Sequence, residues 1–302
     1  LSTSLKIWLS AARLRTLPVS VAGIISGNAM AIKSGLFSES VFVLSLITAI
    51  LFQIISNFAN DYGDGVKGTD NEARLGPERV LQQGLLSPAA LKKGILVAAV
   101  ISLCCAGLLI YVALGSEKLM ISLLFILLAI GAVWAAIQYT VGKSAFGYAG
   151  WGDVFVFLFF GWVSVMGSFY LQTQSLQYSV FFLGTAMGLL STAVLNLNNM
   201  RDITNDKNFQ KNTLVVRMGS QNAKIYHFSL ILASGLFLLL GMGIDWALEH
   251  PFSMLVLLPL VFHGLQVMKI KTPKAYDPLL KQLALSTFFI ALLIWILFFI
   301  DL

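Results

Sequence analysis

Charge is scarce in this 302-residue chain: Asp, Glu, Lys and Arg make up 11% of it, against roughly 25% in a soluble domain. Cysteine is nearly absent. The two residues, Cys104 and Cys105, are adjacent inside an apolar run, which excludes a disulfide framework and any zinc-ligand spacing. The three histidines, His227, His250 and His263, are scattered over different segments, so packing or surface roles account for them. There is no Walker A sequence, no H-E-x-x-H and no Cys/His or Ser/His set, so nothing points to a covalent enzyme nucleophile. No low-complexity linker or soluble stretch interrupts the chain, which reads as one integral-membrane unit over residues 1–302.

What is abundant is apolar surface: 58% of residues are hydrophobic and the mean hydropathy is +0.84. Segments long enough to cross a hydrocarbon core of ~30 Å can be laid out as nine helices, over residues 14–32, 40–60, 94–114, 119–139, 152–171, 179–199, 225–244, 252–268 and 282–300. The eighth is the least regular, with Pro251, Pro259 and His263 interrupting or bracketing it. Lys and Arg concentrate in short cytoplasmic loops. With the N-terminus inside, every basic residue of the 20 except Lys33 and Lys118 falls in an inner segment. The expectation is a multi-pass protein of the inner (cytoplasmic) membrane, with its C-terminus at Leu302 outside. The net charge of +6 follows from these loops, so the implied surroundings are lipid and no nucleic-acid partner is needed. Residues 1–16 are mixed polar and the run after them is too long for a signal-peptide core. No cleaved signal is expected, and Leu1 is expected to follow a lost initiator Met.

The few acids cluster. One group reads Asn57, Asn60, Asp61, Asp64, then Lys67, Asp70 and Arg74; the other reads Asn196, Asn198, Asn199, Arg201, Asp202, Asp206, then Lys207 and Lys211. An aspartate near the centre of a membrane helix costs about 2.5–3.5 kcal/mol on insertion scales, so it marks function by default. Asp61/Asp64 and Asp202/Asp206 are spaced i,i+3 and i,i+4, which puts each pair on one helix face. Facing carboxylate pairs repel unless cations lie between them, and oxygen-only ligands point to Mg²⁺ completed by substrate phosphates. Amides extend both faces inward, Gln53 and Asn57 in one and Asn196 and Asn199 in the other, as suits a wet cavity. For Gln53 and Asn196, hydrogen bonds between helices explain the sequence as well. Gly63, Gly65 and Gly68 match G-x-G-x-x-G literally, but an apolar helix precedes them instead of a strand, so they are expected to end that helix. The two clusters end helices four apart, which suggests a duplication with the site between halves. The predicted fold is an all-α integral membrane protein: nine transmembrane helices, two four-helix pseudo-repeats plus a ninth helix, around a central cavity.

Asn60-Asp61-x-x-Asp64 and Asp202-x-x-x-Asp206 resemble the two aspartate motifs of the UbiA superfamily of intramembrane aromatic prenyltransferases. The stretches 13–18, 56–64, 139–142, 150–162 and 211–217 are similar to the branch that acts on 1,4-dihydroxy-2-naphthoate in menaquinone synthesis. The resemblance spans nearly the whole chain and fades after about residue 230. Two positions depart from the pattern. Gly68 stands where a third Asp is usual, with the acid at Asp70 instead, which leaves the role of Asp70 open; Gln210 replaces a Gly before Lys211 and concerns loop shape.

What the resemblance implies is a transferase. A polyprenyl diphosphate would be bridged through Mg²⁺ to Asp61, Asp64, Asp202 and Asp206, and the prenyl group would pass to an aromatic acceptor that loses CO₂. Asn57, Asn60 and Asn199 would face the substrates. Lys67, Arg74, Arg201 and Lys211 would contact the diphosphate, or serve as ordinary inner-loop charge. Arg13 and Arg15 would meet an acceptor carboxylate or lipid headgroups. Tyr139, Thr140 and Lys143 lie on the active side. Asp153 reads as a helix N-cap or a fifth carboxylate. Phe155, Phe157, Phe159, Phe160 and Trp162 would shield a carbocation or simply face lipid and other helices. Gly23/Gly27 and Gly184/Gly188 mark close helix contacts. Two other readings stand beside this one: a prenyltransferase with a different aromatic acceptor, and a cation-coupled transporter, which would favour acids at mid-membrane. Nothing in the sequence fixes an oligomeric state.

Overall fold

The computed structural model describes residues 2–301, apart from the side chain of Phe252. Leu1 and Leu302 lie outside the described residues, and with Leu302 goes the expected external terminus. Every regular element among the described residues is helical. In chain order these are α1 (Thr3–Ala12), α2 (Leu17–Lys33), α3 (Glu39–Val66), α4 (Pro88–Leu114) and α5 (Leu119–Gln138). Then come α6 (Gly152–Thr173), α7 (Tyr178–Asn208), α8 (Leu214–Met242), α9 (Ile244–Glu249), α10 (Leu257–Lys269) and α11 (Tyr276–Ile300).

Each of the nine apolar segments falls on a helix, but among the described residues only seven helices are long and apolar enough to cross a membrane: α3 to α8, and the one containing α11. The others are shorter. α2 has 17 residues and α10 has 13, which at a rise of 1.5 Å gives roughly 25 Å and 20 Å. The eighth segment is broken because Pro251 starts a 3₁₀ turn over Pro251–Val256 before α10 begins. α8 starts earlier than its apolar run suggests and carries a break at Gly219, where φ is +78°. The apolar pattern also stops short of the real ends of α3 and α7, which continue through both aspartate clusters to Val66 and Asn208.

Local chemistry sets the helix starts and stops. Ser87 and Thr213 accept from the amides of Ala90 (3.1 Å) and Val216 (3.3 Å) as N-caps of α4 and α8. After α3, Gly68 turns left-handed at φ +73°, whereas Gly63 and Gly65 lie inside the helix, so only the last glycine of the triplet helps to end it. Inside the spans, hydroxyls return to carbonyls one turn back, as in Ser45 to Val41 (2.7 Å) and Ser191 to Met187 (2.8 Å). Each such polar group is thereby satisfied without water.

α7 is the most enclosed of the seven long apolar helices and packs against α2, α6, α8 and α11, which share the largest buried apolar cluster. α3 packs against α1, α2, α4 and α5. α2 and α6 approach closely at glycines: a Cβ on Gly23 or Gly27 would run into Ser164 and Ser168 and the α6 backbone. Gly161 and Gly188 bring α6 equally close to α7. This crowding coincides with a π-helical stretch at Phe157–Val163, which the sequence did not signal. The histidines are less scattered than their spacing implies. His227 on α8 and His263 on α10 are fully buried, with their Nε2 atoms 3.1 Å apart.

The basic loops collect at one end. Tyr148 sits among Thr69, Asp64 and Asn212 there, and Lys224 reaches the carbonyl of Ile270 (2.5 Å). At the opposite end Lys33 donates to the carbonyl of Met242 (2.8 Å), and Lys118 pairs with Gln174.

Candidate active site

The last two turns of α3 carry the first cluster. Asn57 donates to the Ala12 carbonyl (2.8 Å) and to Thr16 Oγ1 (3.0 Å), and accepts from Gln53 (3.2 Å). These amides therefore clamp the α1–α2 connection to α3 while still lining the cavity described below. Asn60 accepts from Thr140 Oγ1 (3.3 Å), and Gly63 lets Thr140 approach the helix backbone. One turn later Asp64 accepts from Tyr148 Oη (2.8 Å) and Arg79 Nη1 (2.8 Å), with Lys211 Nζ at 3.6 Å. Asp61 lies 4.0 Å from Arg13.

The end of α7 carries the second cluster. Arg201 grips Asp202 bidentately, Nε to Oδ1 at 3.0 Å and Nη2 to Oδ2 at 2.7 Å. Asp206 faces Lys211 at 3.9 Å. The loop after α3 folds over both helix ends, tied by Asn205 donating to the Thr69 carbonyl (2.8 Å) and Asn71 donating to Asn205 Oδ1 (3.1 Å).

Two cations span the clusters. Lys211 reaches Asp64 and Asp206, and Arg74 reaches Asp70 (3.3 Å) and Asp202 (3.8 Å), while Arg79 joins Asp64 to Asp70 at 2.8 Å each. The four motif aspartates are only 1–5% exposed. Carboxylates so buried are tolerable because each has a basic partner in reach. Burial pushes the Asp70 carboxyl up to about 6, with Arg79 pulling it down and Asp64 raising it. Burial opposes the charge on Arg79, yet the surrounding Asp64, Asp70 and Asp61 hold its proton more tightly than usual. Burial and the Asp64 carboxylate together raise the Tyr148 phenol.

This lattice caps a cavity of about 630 Å³. Seven basic side chains but only two acidic ones, Asp64 and Asp277, belong to its lining. Deeper in, the walls turn apolar, with Phe52, Phe125, Phe155, Phe159 and Phe160 beside a run of alanines from α4 and α5. The buried side chains of Leu109, Ile110 and Leu171 line the apolar end and belong to a separate apolar cluster with Val41 and Leu114.

Of the residues singled out from the sequence, Asp64, Asn57, Asn60, Arg15, Arg74, Tyr139, Arg201 and Lys211 line this cavity. Asp61, Asp202, Asp206 and Asn199 are buried just behind the lining, and Lys67 lies over the Tyr148 ring at 3.9 Å. Lys143 is exposed on the loop after α5, away from the lining. Asp153 is neither a cap nor a cavity carboxylate. Trp151 holds the cap position of α6, and Asp153 accepts from Tyr226 (3.2 Å). The aromatics divide: Phe155, Phe159 and Phe160 face the cavity, whereas Trp162 donates to Thr185 (3.1 Å) and Phe157 packs on Gly188. Arg79, Tyr148, Asp277 and Lys281 went unnoticed as site residues. All four come from connecting segments or an element start, where no periodicity announces direction.

A divalent cation fits the donor chemistry. Asp61 Oδ1 and both oxygens of Asp70 are buried and accept no hydrogen bond, although Arg79 stands 2.8 Å from one of the latter at a poor angle. Such hard, underused oxygens suit Mg²⁺. Among the described residues no three acidic, His or Cys side chains are close enough to form a complete metal nest, so a substrate would have to supply ligands.

Residues 20–293 match the model of the UbiA prenyltransferase family. The chain is 43% identical to the 1,4-dihydroxy-2-naphthoate octaprenyltransferase of Escherichia coli, over 91% of this chain and 89% of that one. It is 40% identical to the enzyme of the same name from Haemophilus influenzae, over 99% and 96%. Among solved structures, a digeranylgeranylglyceryl phosphate synthase superposes with a TM-score of 0.63 at 16% identity, over the full length of both chains. A UbiA homologue from Archaeoglobus fulgidus bound to DMAPP and Mg²⁺ does so with a TM-score of 0.58 at 16% identity, over 92% and 98%. At that identity the likeness is one of fold.

Proposed function

The chain belongs to the UbiA prenyltransferase family, and from that premise we propose that it transfers a polyprenyl group from an isoprenyl diphosphate to 1,4-dihydroxy-2-naphthoate, giving demethylmenaquinol, CO₂ and diphosphate. The observation that carries this reading is the joining of two aspartate-bearing helices, through Lys211 and Arg74, at the mouth of a long apolar cavity. A diphosphate head fits the charged mouth and a polyprenyl tail fits the apolar depth. Acids held at one end by basic loops, instead of at mid-span, speak against a cation-coupled transporter.

Asp61, Asp64, Asp202 and Asp206, with Asp70 beside them, would hold Mg²⁺, Asp61 and Asp70 through oxygens that accept no hydrogen bond and Asp64 and Asp202 on release of their basic partners. When bound, Mg²⁺ supplies charge neutralisation to the diphosphate. The lattice is a set of exchangeable partners: Lys211, Arg74 and Arg79 release carboxylates and turn to phosphate oxygens as substrate arrives. The allylic C–O bond then breaks and its electron pair leaves with the diphosphate. Phe155, Phe159 and Phe160 line the cavity, where they would keep water from the allylic cation and stabilise it. An acceptor ring carbon attacks the cation. The ring–carboxylate bond breaks, CO₂ departs, and its electron pair restores the aromatic ring.

As a whole, the chain is read as one membrane domain with nine spanning helices, α2 and α10 being the short ones, arranged as two four-helix pseudo-repeats and a ninth helix. The aspartate end faces the cytoplasm across the inner membrane, which the bias of Lys and Arg to that end supports.

The test is incubation of purified protein with a polyprenyl diphosphate, Mg²⁺ and a panel of aromatic acids, with products identified by mass. The expected product is the decarboxylated prenyl-naphthoquinol, lost with EDTA and regained with Mg²⁺ alone. Preferred turnover of another acid, or full activity without divalent metal, would overturn the reading.

A further inference from the structure

Both oxygens of Asp202 are already taken. Arg201 covers them with its Nε–Nη2 edge, and Arg74 stands farther off at 3.8 Å. A metal therefore reaches this carboxylate only when Arg201 lets go. Arg201 is itself buried, and a buried guanidinium that loses its anion is strongly disfavoured. The fold supplies a second anion. Asp277, in the first turn of α11, accepts from Arg201 Nη1 at 2.6 Å. Among the described residues it makes no other ion pair or hydrogen bond. The two carboxylates depend on Arg201 unequally. Asp202 is 5% exposed and needs a cation against it at all times. The Asp277 side chain is 45% exposed and lines the cavity. It lies at a helix N-terminus, which favours an acid, and within reach of the Arg15 charge. With those other supports it can hold Arg201 or spare it. Room to move is present too: Gly76 faces the guanidinium, and a Cβ there would lie 2.7 Å from Arg201 Nη2.

We propose that Asp277 is a positioning residue that receives Arg201 when a divalent cation takes Asp202, the guanidinium pivoting on its bond to Asp277 as Asp202 exchanges it for the metal. This rests on the reading of Asp202 as a metal-holding carboxylate and names the residue that sets how readily that carboxylate is released. The exchange leaves no buried charge alone at any stage: Asp202 is paired with Arg201 before it and with the metal after it, and Arg201 keeps Asp277 throughout. Asp277 also has a second oxygen with which to take the guanidinium in a two-pronged grip. Without Asp277, Arg201 is left with Asp202 and the Asn198 side-chain oxygen, which accepts from Nη2 at 2.8 Å. A neutral amide cannot replace an anion for a buried cation, so Arg201 then holds Asp202 against the metal. Metal affinity falls although no metal ligand has been removed, and it falls only while Arg201 is present.

Mn²⁺ binding to full-length protein in nanodiscs, read by electron paramagnetic resonance with inorganic pyrophosphate present, tests this without turnover. Asp277→Asn is expected to weaken Mn²⁺ binding about tenfold, as loss of a charged hydrogen bond does, and Asp277→Glu to recover most of that loss. In an Arg201→Gln background the same Asp277→Asn change should alter Mn²⁺ affinity by less than about twofold, because the guanidinium it receives is gone. Arg201→Lys keeps a cation but loses the fork that covers both Asp202 oxygens, so it should bind Mn²⁺ more tightly than wild type. The inference is overturned if Asp277→Asn binds Mn²⁺ like wild type, or if it weakens binding equally in both backgrounds. It is overturned as well if Arg201→Lys fails to tighten binding, or if wild type binds no Mn²⁺ beside pyrophosphate. Turnover is measured alongside. If wild type prenylates no aromatic acid while the binding cycle keeps this pattern, the reaction assigned above falls and the exchange at Asp202 stands.

Discussion

At the scale of single residues, Asp64 shows how the site works. It accepts from Tyr148 and Arg79 and faces Lys211, so the carboxylate is ringed by donors and placed to trade a cation for a metal. Asp61→Asn, Asp64→Asn, Asp202→Asn and Asp206→Asn keep volume and lose charge. Each is expected to lower kcat/KM by about 10²–10³-fold while the protein still inserts, as product formation per membrane-extracted protein will read; near-normal rates in two of them would sink the assignment. A second residue is informative for the opposite reason. Gln210 holds a left-handed φ of +55° in the turn between α7 and α8, a conformation that suits glycine. Gln210→Gly is expected to stabilise the fold by about 0.5–1 kcal/mol, seen as a higher unfolding midpoint in detergent, with activity unchanged. The aspartates could be read from sequence because charge inside apolar runs is conspicuous. Arg79 could not, since it lies in an irregular loop whose path is set by Asn71, Thr69 and Asn205 and by no spacing.

At the scale of elements, the apolar runs located nine of the helices, because hydrophobic length is what a bilayer selects, and missed the short α1 and α9, which carry no such run. The runs did not find the ends of α3 and α7, where polar residues continue the helix, nor the π-helical stretch of α6. That stretch answers to close contacts across three helices, and such contacts are invisible in one segment's pattern. The glycines of α2 and α4 make the point measurable. A methyl at Gly27 would meet the backbone of Val165, whereas nothing lies within 4 Å of a methyl at Gly107. Gly27→Ala is therefore expected to cost about 1–3 kcal/mol by overpacking. Gly107→Ala should gain up to about 1 kcal/mol from helix propensity. Thermal unfolding of the two variants side by side checks both signs, and equal effects would mean that the α2–α6 contact is looser than described.

At the scale of the whole molecule, the separation of charge is the organising fact: the loops gathered around the aspartates carry nearly all the basic residues, and Lys33 and Lys118 stand at the other end. Accessibility tags in the 67–87 and 209–213 loops are expected to label from the same, cytoplasmic, face, and a tag beside Lys118 from the opposite one. Labelling of the two aspartate loops from different faces would separate the carboxylates and end the proposed mechanism. The all-helical, multi-pass character of the chain was legible because hydropathy reports helices long enough to cross a membrane. The convergence of Arg74, Arg201 and Lys211 on particular aspartates was not, because it depends on how helices far apart in sequence meet.

The apolar end of the cavity has an electrical side. A hollow of about 630 Å³ with a charged end removes much of the dielectric that insulates a membrane. The barrier that remains is the small apolar plug of Leu109, Ile110 and Leu171, backed by Val41 and Leu114. The hydroxyls that line this depth, Ser45, Thr48 and Ser168, already donate to carbonyls one turn back, so ions reaching it find little to replace their hydration, and the plug lets an enzyme be hollow without short-circuiting the gradient across its membrane. Trimming it, as in Leu171→Ala with Leu109→Ala, should raise passive proton leak in reconstituted liposomes while prenyl transfer at the other end continues. A leak no greater than that of wild type would mean that the seal lies elsewhere in the bundle.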